Sequence, residues 1–168
     1  MDKIVNLKDL LVEQIRDLYN AEKIQLIELP QIAEKASTRD LRLAINHHLE
    51  ETKEQVVRLD KVAKKLGIVP VGEECEVMRG MIMDTWNLIN RSTDHEISDA
   101  AIVTSVQHIN HYEIAGYGTA SSYAKALGLN EISELLHETL EEEKKIDERL
   151  SLLAEEFINI QAKVPMST

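Results

Sequence analysis

Four long stretches of this sequence place apolar residues at alternating steps of three and four, and each carries one glutamate near the middle of its apolar line. The first reads Leu11, Ile15, Leu18, Glu22, Leu26, Leu29, Ala33, and the second Leu41, Ala44, His48, Glu51, Gln55, Leu59, Val62, Leu66. The third reads Val103, Val106, Asn110, Glu113, Tyr117, Ala120, Ala124, and the fourth Ile132, Leu136, Thr139, Glu143, Ile146, Leu150, Leu153, Phe157. Such spacing puts one stripe of side chains on one face of an α-helix, so four amphipathic helices are expected to bury their stripes against each other. With only 6 Gly and 3 Pro, and no alternating β-branched run, nothing in the chain competes with helix.

Breaks between the stretches set the topology. Asn6 to Asp9 starts a first helix that runs to about Ala36, with Pro30 as a kink. Ser37 and Asp40 have the spacing of a capping box and open a second helix, which ends at Gly67 shortly before Pro70. A weaker apolar segment, Glu73 to Asn90, reads as a short helix within a long crossover. Thr93 and Glu96 form a second box ahead of a third long helix, and Gly128 separates it from a fourth over Glu131 to Ile160. Two hairpins of long helices joined by a long connection make an all-α, ferritin-like four-helix bundle, whereas up-and-down bundles use short loops throughout. The domain is expected to span residues 1–162, followed by a polar tail over 163–168.

Composition narrows the function. Among 168 residues, 30 are acidic and 19 basic, and the net charge of −11 opposes a phosphate backbone; nucleic acid and membrane are not expected partners. One cysteine, Cys75, excludes an internal disulfide framework, and the N-terminal segment has neither a signal-like nor a membrane-spanning pattern. A soluble, cytoplasmic protein is expected. Gly-rich phosphate loops, Ser/His/Asp arrangements and Cys/His zinc spacings are lacking, which leaves nucleotide hydrolysis and serine or zinc hydrolase chemistry without support.

The glutamates carry the functional signal. An unpaired carboxylate costs several kcal/mol, roughly, when taken out of water, so four at one level of a bundle need positive charge. Lys23, Lys53 and Lys144 sit beside the lines and can point outward, which leaves divalent metal ions as the compensating charge. Glu22 to Glu51 spans 29 residues and Glu113 to Glu143 spans 30, as two similar hairpins would give. Asp147 follows Glu143 by one turn, while Glu54 and Gln55 follow Glu51, so each pair can serve one metal or its water. Oxygen-rich ligation favours two iron ions, or manganese, over structural zinc. The competing reading is that some of these glutamates lie on solvated flanks, since a phase error of one residue suffices. His48 and His111 are candidates for orienting a carboxylate, and Tyr117 for donating to one. His47, His95, His108 and His137 read as solvent-facing, and Met78, Met81, Met83 and Cys75 as packing residues. Met81, Met83 and Trp86 either cover the bundle or form a dimer patch.

The stretches DLYNAEKIQLIELP, HHLEETKEQ, HYEIAGYG and LEEEKKIDERL resemble the YciF-like family of bacterial ferritin-like proteins, over about Leu7 to Leu153. The resemblance implies a rubrerythrin-type four-helix fold, a homodimer, a dinuclear metal site and an association with stress responses. Its carboxylate ligands would fall on Glu22, Glu51, Glu113 and Glu143, with Asp147 and the Glu54/Gln55 position where better-known sites have histidines. An all-oxygen site need not perform the same oxygen chemistry, so catalytic turnover is left open. Three functions are compatible with these residues: a stress-associated metal protein whose centre reacts with dioxygen or peroxide, a dimerising interaction module with a vestigial or non-catalytic site, and, more weakly, a storage cage.

Overall fold

The computed structural model describes residues 3–72 and 74–163, and among these there is no strand. Helix α1 spans Leu7–Lys35, α2 Arg39–Leu66, α3 Glu76–Arg91, α4 His95–Ala126 and α5 Asn130–Leu153. A π-helical turn, Ala154–Ile158, continues α5 into a last short helix, α6 (Asn159–Ala162). Of the expected polar tail, all but Lys163 lies outside the described residues, as does Glu73 at the expected start of the crossover helix. No described helix is long and apolar enough to cross a membrane.

Local chemistry explains most helix ends. Asn6 caps α1 by accepting from the Asp9 amide at 3.0 Å, and the Val5 amide donates to the Asp9 carboxylate in return. Pro30 sits inside α1, which runs on to Lys35. Gly67 and Gly128 adopt φ of 69° and 73°, the left-handed geometry that ends a helix without Cβ strain.

Two expected capping boxes do not form as the sequence spacing predicts. Asp94, not Thr93, caps α4, accepting from the Ile97 amide at 2.8 Å; a charged acceptor next to the positive helix start outcompetes a hydroxyl. Ser37 does not cap α2 with Asp40. Instead the amides and hydroxyls of both Ser37 and Thr38 donate to Asp99 of α4, whose carboxylate is buried and needs those donors. This clamp ties the α1–α2 corner to α4. Substituting Asp99→Ala is therefore expected to lower the unfolding free energy by about 2–4 kcal/mol, read from the shift of a urea midpoint.

Helix α1 packs on α2 and α4 on α5 as two hairpins, while α1 faces α4 and α2 faces α5. The crossover helix α3 lies against α4 and α1, burying Met78, Ile82 and Ile89. Met81 and Trp86 are partly buried against the core, with the Trp86 indole donating to Glu28 at 2.9 Å, whereas Met83 is exposed. Cys75 is buried, as expected, and its Sγ caps α3 by accepting from the Met78 amide.

The apolar core forms two clusters. One contains Leu29, Ile32, Leu41, Ile45, Val106, Ile109 and Leu150; the other contains Leu11, Ile15, Leu18, Leu59, Val62, Ala120, Ile132 and Leu136. On every bundle helix the change from one cluster to the other falls at the buried polar positions, so a polar layer crosses the middle of the bundle. At the end of the fourth line, Ala154 and Ile158 take the buried places expected of Leu153 and Phe157. The step from Leu150 to its next buried neighbour is four residues, where the expected line took three.

Candidate metal centre

Each bundle helix delivers polar side chains into the middle layer. Glu22 and Gln25 come from α1, His48, Thr52 and Gln55 from α2, Asn110, Glu113 and Tyr117 from α4, and Thr139 and Glu143 from α5. Glu22, Glu113 and Glu143 are wholly inaccessible to solvent. These positions repeat at three or four residues within each helix, so they share the inward face of their own helix and meet at one level.

Neutral donors hold the carboxylates in place. Glu143 accepts from the Gln55 amide at one oxygen and the Asn110 amide at the other, both at 2.8 Å. Gln25 donates to Glu113 Oε1, and the Tyr117 hydroxyl donates to Glu22 Oε1. The acceptors nevertheless outnumber the donors. Glu22 Oε2, Glu113 Oε2, Gln25 Oε1, Gln55 Oε1 and Asn110 Oδ1 are buried with no protein hydrogen-bond partner, as are both ring nitrogens of His48. Orphaned acceptors grouped in this way mark a place suited to a cation.

Electrostatics points the same way. Burial pushes the acidities of Glu22 and Glu113 well above the usual carboxylate range, with charge repulsion from Glu143 adding at Glu22, and from Glu22 and Glu143 at Glu113. Burial also raises Glu143, to about 8, against the opposing hydrogen bonds of Gln55 and Asn110. Burial lowers His48 to about 4, so at neutral pH its ring is uncharged and keeps a lone pair for a metal. The Tyr117 phenol is raised by burial and by Glu22, and stays a donor. Arg58 acts weakly on Glu22, but its guanidinium is engaged by Glu138 at 3.0 Å and Glu142 at 2.8 Å.

His48, Glu113 and Glu143 each offer a ligating atom, and the three atoms lie within 4.8 Å of one another. Ligands about 2.0–2.2 Å from a common ion require only modest closure of that triangle. One imidazole with carboxylates is a donor set that iron, manganese and zinc all accept, so the side chains fit a first-row metal. His48 would add a nitrogen donor to a ligand set that the sequence reads as all-oxygen. It lies three residues before Glu51, where the familiar pattern places a histidine after the glutamate.

The other expected ligands have different surroundings. Glu51 sits at the rim, its side chain 24% exposed, with its buried Oε2 3.2 Å from the His47 ring. Glu54 is exposed and does not join the layer. Asp147 lies between α4 and α5, accepting from Gln107 at 3.1 Å and facing the exposed His111 at 3.3 Å. His47, His95, His108 and His137 are exposed, as are Lys23, Lys53 and Lys144. Sequence reasoning missed Gln25 and Thr52, which replace Leu26 and Glu51 at the centre of their lines, and also Arg58 and Glu142. The i to i+3 relation of Gln25 to Glu22 was the available signal.

Residues 6–163 match the family described as a domain of unknown function, DUF892. Protein YciF of Escherichia coli (strain K12) is 35% identical over 158 residues, covering 94% of this chain and 95% of that protein. The crystal structure of the E. coli stress protein YciF superposes with a TM-score of 0.87 at 36% identity, over 96% of this chain and all of that one. YcfI from Rhodopseudomonas palustris, described as a candidate structural protein, superposes with a TM-score of 0.86 at 40% identity, over 89% of this chain and 95% of that one. A Xanthomonas campestris protein at 19% identity, TM-score 0.74, shares the fold over 94% of this chain and 97% of that one.

Proposed function

This chain belongs to the DUF892 family of YciF-like proteins, and we propose that it is a stress-associated metal-binding protein whose buried carboxylates hold a dinuclear iron or manganese centre. The observation that carries the reading is the group formed by His48, Glu113 and Glu143, fully buried, with uncompensated acceptor atoms around it. These three would hold one ion. Glu22, with a buried oxygen lacking a hydrogen-bond partner, and Glu51, whose buried oxygen faces the His47 ring at 3.2 Å, would serve the second. The stress association follows the description of the E. coli relative as a stress protein.

A bound iron or manganese pair would supply one-electron chemistry towards dioxygen or peroxide. The chain's own residues then do three things. Gln25, Gln55 and Asn110 fix carboxylate orientation from the sides, Tyr117 holds a hydroxyl proton against Glu22, and the two apolar clusters exclude water above and below the layer. Homodimer formation is part of the same reading, with Met83 on the outer side of α3 as a contact residue, tested by sizing in solution.

Protein purified after growth with iron and manganese is expected to contain about two metal ions per chain, as ferritin-like bundles with paired carboxylates do. A second reading draws on the neutral donors: each buried carboxyl already accepts from an amide or phenol, which suits a protonated, purely structural layer in a dimerising module. Elemental analysis separates the two. Protein with no metal, and no uptake of either ion near stoichiometry, selects the structural layer.

A further inference from the structure

The polar layer reaches the outside of the bundle unevenly. On the α1–α4 side it lies behind α3, whose Met78 and Ile82 are buried there. On the α2–α5 side no described helix gives such cover, and burial falls off gradually along it: Glu143 and Gln55 are inaccessible, Arg58 is 11% exposed, and Glu142 and Glu51 are 21% and 24% exposed. One continuous chain of hydrogen bonds runs down this seam. Arg58 grips Glu142 with both nitrogens, at 2.8 and 2.9 Å, and also reaches Glu138 at 3.0 Å and the Thr139 hydroxyl at 2.7 Å. Gln55 then shares its amide between Glu142 at 3.1 Å and Glu143 at 2.8 Å. Its own Oε1, and the Thr52 hydroxyl one turn away, are buried without protein partners.

We infer that the α2–α5 seam is the route by which divalent cations reach the buried carboxylates, with Glu142 as the relay carboxylate and Arg58 as the latch that occupies it. This rests on the metal-binding reading above. A cation approaching Glu51 and Glu142 competes with the guanidinium for the Glu142 oxygens. When Arg58 keeps Glu138 and lets go of Glu142, that carboxylate is released, and Gln55, whose amide nitrogen lies between Glu142 and Glu143, turns over to present its unpartnered carbonyl oxygen to the ion. Neither Arg58 nor Glu142 belongs to the group that holds the ion, so both govern the rate of loading and leave the final occupancy unaltered. Local charge acts on such a rate by changing cation concentration at the mouth of the path.

The test follows Mn2+ uptake by full-length metal-free protein, through loss of the paramagnetic resonance signal of the free aqueous ion. Arg58→Gln is expected to load at least about 5-fold faster than the native chain and Glu142→Gln at least about 5-fold slower, a fraction of the roughly 10–10³-fold that a charged cleft supplies as a whole. Both should reach native stoichiometry. Arg79→Gln on α3, which removes the same charge from the exposed pair with Glu74, is the control and should load at the native rate. If Arg58→Gln does not fold, Arg58→Lys, which keeps the charge but loses the two-nitrogen grip, should still load faster than native. Native protein that takes up no Mn2+ overturns the metal reading and this route together. Native uptake with both seam variants indistinguishable from the Arg79→Gln control overturns the route alone.

Discussion

Replacing Glu113 and Glu143 together by glutamine is expected to reduce metal content to background and to weaken Mn2+ affinity by more than about 100-fold, beyond the 10–100-fold typical of residues that merely support a ligand. Two of the three side chains whose ligating atoms lie within 4.8 Å are neutralised in this variant, leaving only His48. The same change is expected to make the metal-free protein more stable at pH 7.5, by about 1–4 kcal/mol, because a glutamine is neutral without the proton that each buried carboxyl must take up on folding at that pH. Elemental analysis and urea unfolding in chelator read the two effects on one sample. A metal-free double variant clearly less stable than the native chain would show that the carboxyls work as hydrogen-bonded structural groups, and would favour the structural layer.

The second large effect is in the pH dependence of the metal-free protein. Glu143 titrates near 8 in the folded chain against an ordinary value of 4.5, so over that interval the folded state holds a proton that the unfolded state has released. Stability must then fall as pH rises from about 4.5 to about 8, by about 1.4 kcal/mol per pH unit for each such group. Glu22 and Glu113 are shifted in the same direction and steepen the fall. His48 has the opposite sign: lowered from 6.5 to about 4, it makes stability rise with pH between those values. The loss is therefore partly offset below about 6.5 and unopposed from there to about 8. Excess Mn2+ at pH 7.5 should offset part of it, contributing about 2.7 kcal/mol at a free concentration 100 times the dissociation constant. Thermal melts across this range with and without Mn2+ measure both. A flat profile in chelator would contradict the burial-driven shifts, and a melt that Mn2+ does not move would contradict the metal centre.

The helical stripes were legible because apolar spacing is a property of the chain alone. Phase within a stripe was less so. Steps of three and of four both keep a residue on one face of a helix, and the chain alone does not say which of the two is taken at a given turn. Along α1 one such choice put Leu26 where Gln25 is buried, and along α2 one put Glu51 where Thr52 is buried, with both lines back in phase at Leu29 and Gln55. On α4 the line held throughout, from Val103 to Ala124. Beyond Leu150 the buried positions follow steps of four, so that Ala154 and Ile158 are buried where Leu153 and Phe157 were expected.

Within the site, Glu22, Glu113 and Glu143 were readable as charges on apolar lines, and their convergence needed only four helices of similar length. His48 was ambiguous from spacing, because one imidazole on a buried face serves equally as a hydrogen-bonded core group. Asp147 follows Glu143 by one turn, yet Gln107 and His111 of α4 attract it to the seam between the helices, and no one-dimensional pattern contains those partners.

By itself the order of residues determined that the chain would be helical, where its helices would turn, and that carboxylates would be carried on their inward faces, since all three follow from local propensity and periodicity. Only the tertiary structure decided which polar groups meet. The ring order of the helices, the shelter of α3 on one side and the open α2–α5 seam on the other set the burial of Glu143 and the exposure of Glu51 and Glu142. Desolvation and charge coupling depend on distances between separate helices, and those distances exist only once the bundle has closed.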